Sequence, residues 1–197
     1  MTAETKRATG IALGQVALVL LSVGLGLALG EWRQHRADDA RVRLAVQTAV
    51  REVVANQARV RDAITYHDAL YDQITAGETQ SIELRPAFLV DNAWETAQAA
   101  GVVSSLPYPV AETLASVHDT QATYQRLAEV NLSLLYFGNV YGDGGSLRSD
   151  VTGYAPSVSD LRFFELRLDS LYGLALRHIQ EAGFSTRAAE PGRERPG

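Results

Sequence analysis

A stretch of 23 consecutive residues without a charged side chain, from Ala8 to Gly30, constrains this 197-residue chain more than any other feature. A helix of that length measures about 34 Å, which exceeds the hydrocarbon core of a bilayer, about 30 Å thick. The stretch is rich in Leu, Val, Ala and Gly. We therefore predict a tail over residues 1–7 and a transmembrane helix over residues 8–30, which makes the lipid bilayer a partner of the chain.

The same stretch has a rival interpretation as a cleaved signal peptide. Lys6 and Arg7 give it a basic start, and Ala28-Leu29-Gly30 offers small residues at the spacing of a cleavage site. Against cleavage, the apolar run is longer than a signal-peptide core, which has about 7 to 15 residues. Trp32 lies just past the end of the stretch, after Glu31, and suits an aromatic anchor at the membrane interface. We favour the uncleaved helix.

Basic residues on the two flanks bear on the side of the membrane that the rest of the chain occupies. Four arginines lie among residues 31–43, whereas Lys6 and Arg7 precede the stretch, and this excess favours a cytoplasmic C-terminal part. In the other direction, moving a basic tail and the chain's amino group outward against the membrane potential is unfavourable. We expect an inside amino terminus and an extracytoplasmic domain.

Small residues recur along the stretch at spacings that are multiples of four. Such a stripe lets two helix backbones approach closely and could form a helix-dimer face that supports a homo-oligomer. We favour the simpler explanation that glycine is frequent in membrane helices generally. The residues of this face are Gly10, Gly14, Ser22, Gly26 and Gly30.

The remaining 167 residues carry a formal net charge of −6, and their number suits one domain. The chain has no cysteine, which excludes disulfides, thiolate metal sites and cysteine nucleophiles. Its basic residues are 17 Arg and a single Lys, and they are scattered rather than clustered. An acidic surface without a basic stripe does not attract phosphate backbones, so we expect no nucleic-acid partner.

Three long segments repeat apolar residues at steps of three and four, the period of a helix with one buried face. The first runs from Glu31 to about Ile74, the second from Pro109 to Phe137, and the third begins at Ser157 or Ser159. We therefore predict an all-α chain: an N-terminal transmembrane helix, then an antiparallel bundle of three long helices and one short helix. The predicted buried stripes are Val46, Val50, Val53, Gln57, Val60, Ile64, His67, Tyr71 and Ile74 in the first; Val110, Leu114, Val117, Gln121, Tyr124, Ala128, Asn131 and Leu135 in the second; and Leu161, Phe164, Leu168, Leu171, Ala175 and His178 in the third.

Local signals predict where the helices begin and end. Asn92, followed by Glu95 at capping-box spacing, is expected to begin the short helix. Residues 78–90 are predicted to be a connector that contains a short extended or helical piece, and residues 138–156 are predicted to be a long loop. Four glycines are expected to stop helices: Gly77, Gly101, Gly138 and Gly183.

These bounds divide the chain after the anchor. The bundle domain occupies residues 31–183, and residues 184–197 are predicted to form a disordered tail because they combine Pro, Gly, Arg and Glu.

The histidines and carboxylates form no recognisable catalytic or metal-binding pattern. His67 and His178 both fall on predicted buried stripes, so they could meet as a pH-sensitive pair or a metal site. The alternative is that each histidine bonds a neighbour at the edge of its stripe. The acidic residues Asp38, Asp39, Glu165, Asp169 and Glu181 are expected on the solvated face, where pairing with Arg162 or Arg177 would support the helix. We assign no catalytic, cofactor-binding or metal-binding residue.

Aromatic residues of the bundle have two interpretations. At their spacings they suit the bundle core, and they would otherwise line a groove for a ligand or peptide. These residues are Trp94, Tyr108, Tyr124, Tyr136, Phe137 and Tyr141.

The order of features resembles an uncharacterised family of short bacterial single-span membrane proteins. The resemblance covers residues 10–130 and rests on Gly30-Glu31-Trp32-Arg33-Gln34, Ala93-Trp94-Glu95, Gly101 and the helix from Pro109. It implies a single-pass protein of the bacterial inner membrane with a helical domain, and it transfers no catalytic residue. Members tend to have a more basic tail before the span, so the short tail of this chain departs from their pattern and leaves the orientation open.

The combined features lead to two expectations of function. The first is a membrane-anchored helical interaction or scaffold protein of the bacterial envelope, without catalysis, which associates with itself or with another membrane protein. The alternative is an extracytoplasmic small-molecule sensor or binding domain with a cavity between its helices. An enzyme has the least support, because no catalytic constellation is visible.

Overall fold

The computed structural model describes residues 3–79, 81–141 and 151–186; within these ranges the side chains of residues 3–31, 33, 35, 137–141 and 152 lie outside the description. Four α-helices follow one another: α1 (Ala3–Thr75), α2 (Asn92–Ala99), α3 (Tyr108–Tyr141) and α4 (Ala155–Glu181). Two short 3₁₀ turns cover Val103–Ser105 and Val151–Tyr154. The described residues contain no strand, which confirms the predicted all-α class with three long helices and one short one.

The chain divides into two compact units, Met1–Val42 and Arg43–Gly197. In the first unit the guanidinium of Arg36 lies 4.0 Å from the ring centre of Trp32, which is 51% exposed. Arg41 pairs with Asp38 at 3.3 Å.

No helix in the described part of the chain is both long and apolar enough to cross a membrane. The side chains of residues 8–30, including those of the predicted dimer face, lie outside the described residues. The predicted anchor therefore has no support from the structure and stays a prediction.

In the second unit α4 runs antiparallel to both other long helices. Gln57 of α1 bonds Asp169 of α4, and further along α1 Asp68 pairs with Arg162 of α4. Residue numbers therefore rise along α1 where they fall along α4. Across α3, Gln121 bonds Tyr172 and Thr113 bonds His178 in the same sense. Consequently α1 and α3 are parallel to each other, so the predicted antiparallel packing holds for α4 but not between α1 and α3, the first two long helices in the chain. The chain returns between them in a non-helical segment.

Three of the predicted stops are confirmed by left-handed glycines. Gly77, Gly101 and Gly183 have φ values of 69°, 67° and 83°, a conformation that side chains with a Cβ rarely adopt. The predicted stop at Gly138 is wrong, because α3 continues to Tyr141. The last long helix begins at Ala155, earlier than predicted, because proline is tolerated in a first turn, where Pro156 lies.

The buried stripe of α3 matches the prediction at all eight positions. On α1 three predicted positions, Gln57, Ile64 and Tyr71, are only half-buried. On α4 the predicted Phe164, Leu171 and His178 are also half-buried. The residues buried in addition are Ala49, Asn56, Ala63 and Leu70 on α1, and Val158, Glu165, Tyr172 and Ile179 on α4.

Candidate functional site

Residues 81–91 form an extended segment, which we call the strap. The strap connects α1 to α2 and lies between α1 and α3. From α1, the Tyr66 hydroxyl donates to the carbonyl of Glu83 at 2.7 Å. The Asn56 amide donates to the carbonyl of Val90 at 2.6 Å and accepts from its N–H at 3.1 Å. Asn56 is fully buried. Side chains of α1 thus satisfy the backbone of the strap where no sheet does.

The opposite side of the strap is bonded by α3. The N–H of Ala87 donates to the hydroxyl oxygen of Tyr124 at 2.7 Å, and the amide of Gln125 donates to the carbonyl of Leu89 at 3.1 Å. The buried side chain of Leu84 adds an apolar contact. The strap is therefore seated between two parallel helices, where a further helix would pack in a larger bundle.

The strap ends at α2, whose N-terminus is capped from another helix. The predicted start of this helix at Asn92 is confirmed, whereas the predicted capping box is wrong, because the N-cap residue is Asp91 and no side chain there makes a cap bond. Instead the N–H of Ala93 donates to the Glu52 carboxylate of α1 at 3.0 Å. Partial burial raises the pKa of Glu52, and this outweighs the lowering by the backbone hydrogen bond.

Beneath the strap lies a buried cluster of His67, Tyr124 and Glu165, which we call the lock. All three side chains have no exposed surface. Nδ1 of His67 lies 2.9 and 3.0 Å from the two carboxylate oxygens of Glu165, and the Tyr124 hydroxyl donates to Oε1 at 2.8 Å. A carboxylate accepts only, so the ring hydrogen of His67 belongs on Nδ1.

The lock joins one residue from each long helix to the strap. The Tyr124 oxygen receives the N–H of Ala87 while its hydrogen points to Glu165, so the chain of bonds runs from the strap to α1. Burial, followed by the nearby Glu165 charge, raises the pKa of Tyr124 well above its usual range. Nε2 of His67 has no hydrogen-bond partner among the described residues. No atom of the lock reaches solvent, and its hydrogen bonds link the strap to all three long helices.

Several predicted site residues lie elsewhere than expected. Glu165 was expected on the solvated face, and it is buried because His67 and Tyr124 neutralise the cost of burial. His67 and His178 do not meet, because His67 bonds Glu165 and His178 lies 2.8 Å from the Thr113 hydroxyl, as the favoured alternative of a neighbour-bonded histidine predicts. Arg162 pairs with Asp68 of α1 rather than with its own helix.

Asp169, another of these acidic residues, links α4 to α1. Its carboxylate accepts from Arg61 at 2.7 Å and from Gln57 at 2.9 Å. In the described part of the chain, no three histidine or acidic side chains converge on a point that could hold a metal ion.

The aromatic residues separate into core and surface. Tyr124 is buried and Trp94 is half-buried, whereas Tyr108 and Tyr136 are 75% and 65% exposed. The side chains of Phe137 and Tyr141 lie outside the described residues.

A small cavity lies between α1, α2 and α3, near Glu52, Trp94 and His118. The volume within which the centre of a water molecule can lie is about 20 Å³. That is enough for about one water. Nδ1 of His118 is buried there without a hydrogen-bond partner among the described residues.

A larger opening, which we call the groove, lies on the surface between the strap and α3. The volume of the groove within which the centre of a water molecule can lie is about 380 Å³. Phe88 forms one wall and is 85% exposed, and Leu132 on the facing wall is 38% exposed. The lining residues are Pro86, Ala87, Phe88 and Leu89 of the strap, and Gln125, Ala128, Glu129, Leu132 and Ser133 of α3.

The sequence predicts the non-helical connector over residues 78–90, but it does not predict the seating of the strap between α1 and α3, the lock or the groove. Each depends on residues more than 30 positions apart in the chain, such as the pair of Asn56 with Val90 and the pair of His67 with Glu165. The one available signal was the presence of His67 on an otherwise largely apolar stripe, because a buried polar group requires a partner.

Comparison of the chain with protein-family models, with curated proteins and with solved structures gives no match.

Proposed function

We propose that this protein is a single-pass membrane-anchored helical interaction module of the bacterial envelope, with its bundle on the extracytoplasmic side. The proposal assigns it no catalytic role. The groove carries the proposal, because an exposed apolar wall beside a fixed strap is the kind of surface that a protein partner covers.

Two parts of the proposal rest on the sequence alone. The uncharged run over residues 8–30 supports the anchor, with Trp32 at the membrane interface. The resemblance to single-span bacterial membrane proteins supports the envelope location.

The groove supports the interaction part of the proposal. The backbone on either side of Phe88 is held, since Ala87 and Leu89 both bond α3. A rigid exposed aromatic side chain loses little entropy when a partner covers it, and aromatic residues are common among the anchors of interfaces. Phe88 is therefore the residue that we expect to contact a partner.

The alternative, a small-molecule sensor with a cavity between its helices, has less support. The cavity between α1, α2 and α3 holds about one water. Only the groove, among the openings described here, has a volume in the range of ligand pockets, roughly 300 to 1,000 Å³.

A site-specific photocrosslinker at Phe88, used in intact bacterial membranes, tests the proposal. Phe163 of α4 is the matched control, because it is the same residue type and is 60% exposed on another helix. We expect a discrete protein adduct from position 88 and none from position 163.

Two outcomes would contradict the interaction module. One is the absence of any protein adduct from position 88. The other is equal adducts from positions 88 and 163, which would indicate nonspecific contact. A shift in melting temperature with a small molecule that Phe88→Ser abolishes, without a protein adduct, would favour the sensor instead.

A further inference from the structure

We propose that the partner of the groove is a second copy of this chain, docked with its α3 antiparallel to the first. This inference rests on the proposed function, because it names the partner of the same surface. It is carried by the groove, by Phe88 and by two charges on α3.

The outer face of α3 beside the groove is arranged for antiparallel pairing. Ala122, Arg126, Glu129 and Ser133 are spaced by four, three and four residues, which places them on one face of the helix. A two-fold axis that passes between the two α3 helices, at the level between residues 127 and 128, brings Arg126 of one copy opposite Glu129 of the second copy, and the reverse. It also brings the small side chains of Ala122 and Ser133 together, which lets the helices approach closely.

The charges on this face are complementary only in that direction. Arg126 and Glu129 are exposed, and neither has an ion-pair partner among the described residues. Antiparallel pairing forms the Arg126–Glu129 pair twice, as a two-fold interface requires. Parallel pairing in register would instead oppose like charges, which is unfavourable.

The same axis carries Phe88 of each copy into the groove of the other. The neighbours of Phe88 in the chain bond Tyr124 and Gln125, so Phe88 lies at their level along α3. In the antiparallel pair, Tyr124 and Gln125 of one copy lie opposite the part of the second α3 between Ala128 and Leu132. Ala128 and Leu132 are the apolar α3 residues of the groove, so Phe88 lies opposite that groove. A protruding side chain thus meets an apolar opening on both sides of the dimer.

Charge exchange in the full chain tests this arrangement. Sedimentation in detergent should show a dimer, and Arg126→Glu or Glu129→Arg alone should weaken it by at least about tenfold, because each substitution opposes like charges twice. The double variant R126E/E129R should return the dissociation constant to within about threefold of the original, because the two pairs re-form with their signs exchanged. Arg167→Glu on the exposed face of α4 is the control and should leave association unchanged.

Cysteine pairing tests the direction, because the chain has no cysteine of its own. The variants Ala122→Cys and Ser133→Cys should form a disulfide when mixed and oxidised, and neither should crosslink alone. Association through the anchor stripe would not produce that pattern, since it does not place residue 122 opposite residue 133.

A monomeric full chain at every concentration, or a double variant no tighter than the single ones, would overturn the self-pairing. An adduct from position 88 with a different protein, together with a monomeric chain, would overturn it while leaving the interaction module in place. No protein adduct at all would overturn the proposed function itself.

Discussion

A carboxylate moved from water to a protein interior costs several kcal/mol unless partners replace its solvation. Glu165 has such partners on two helices: His67 approaches both of its oxygens and Tyr124 donates to one. Removing one member of a buried pair is more damaging than replacing both members by apolar groups, because a lone buried polar group has no compensation. The lock is therefore a site where single and double substitutions should differ.

The first prediction follows from that asymmetry. Glu165→Leu should lower the free energy of unfolding by about 3 to 5 kcal/mol, since it leaves His67 and Tyr124 buried without their acceptor. Urea unfolding of the full chain in detergent, followed by circular dichroism, measures this change. The double variant H67L/E165L is the control and should recover much of the loss. A single variant as stable as the original chain would show that the lock does not hold the bundle.

Glu52 leads to a pH prediction, because burial raises its pKa from an ordinary value of 4.5. A carboxyl group with a raised pKa in the folded state contributes stability below its unfolded pKa and loses that contribution as the pH rises. Glu52→Gln keeps an oxygen for the N–H of Ala93 and removes the charge. The variant should match the original chain near pH 4 and be the more stable of the two near pH 7.

Thermal melting of both chains between pH 4 and pH 7 measures this difference. A Glu52→Gln variant that becomes less stable than the original chain as the pH rises would contradict the account. It would mean that the bond from the α2 terminus outweighs the cost of burying the charge.

Among the elements, the helices were predictable, whereas the seating of the strap was not. The stripe of α3 was correct at all eight positions because apolar residues occupy six of them and keep one phase along the helix. On α4 the sequence is compatible with two helical faces. The predicted buried face contains Phe164 and Leu171, whereas the face that is buried contains Glu165 and Tyr172. Glu165 argues against burial of its face unless its partner is known, and that partner, His67, is 98 residues away.

The strap and the groove escaped prediction for a related reason. An extended segment outside a sheet has no period of its own, and its bonds come from side chains on distant helices. The parallel direction of α1 and α3 follows from the strap, so it was equally invisible. Local signals did predict the glycine stops, because a left-handed residue is a property of the position itself.

The glycines lead to a prediction at this scale. Gly77→Ala should destabilise the bundle by about 1 kcal/mol, because its φ of 69° places a Cβ in strain. Gly173→Ala should stabilise it by up to about 1 kcal/mol, because Gly173 is helical and nothing lies within 4 Å of the added Cβ. Urea unfolding compares the two variants. Equal effects of the same sign would show that one of these backbone conformations is misassigned.

At the scale of the whole molecule, the account joins an anchor inferred from residues 8–30 to a bundle whose groove receives a partner. The two parts have different foundations. The anchor depends on the uncharged run alone, whereas the groove depends on the strap and the lock beneath it. We propose that such a module needs both, since an anchor would confine the groove to the bilayer surface and so raise the local concentration of membrane partners.

The most direct measurement of the central claim is alkaline carbonate extraction of membranes from cells that express the full chain. The account predicts that the protein stays with the membrane pellet. The double variant L20R/L21R should move to the supernatant, because each arginine in the middle of a span costs about 2.5 to 3.5 kcal/mol. Leu44→Arg, a matched change at an exposed leucine outside the run, should stay in the pellet. Release of the original chain into the supernatant would contradict the anchor and with it the proposed function.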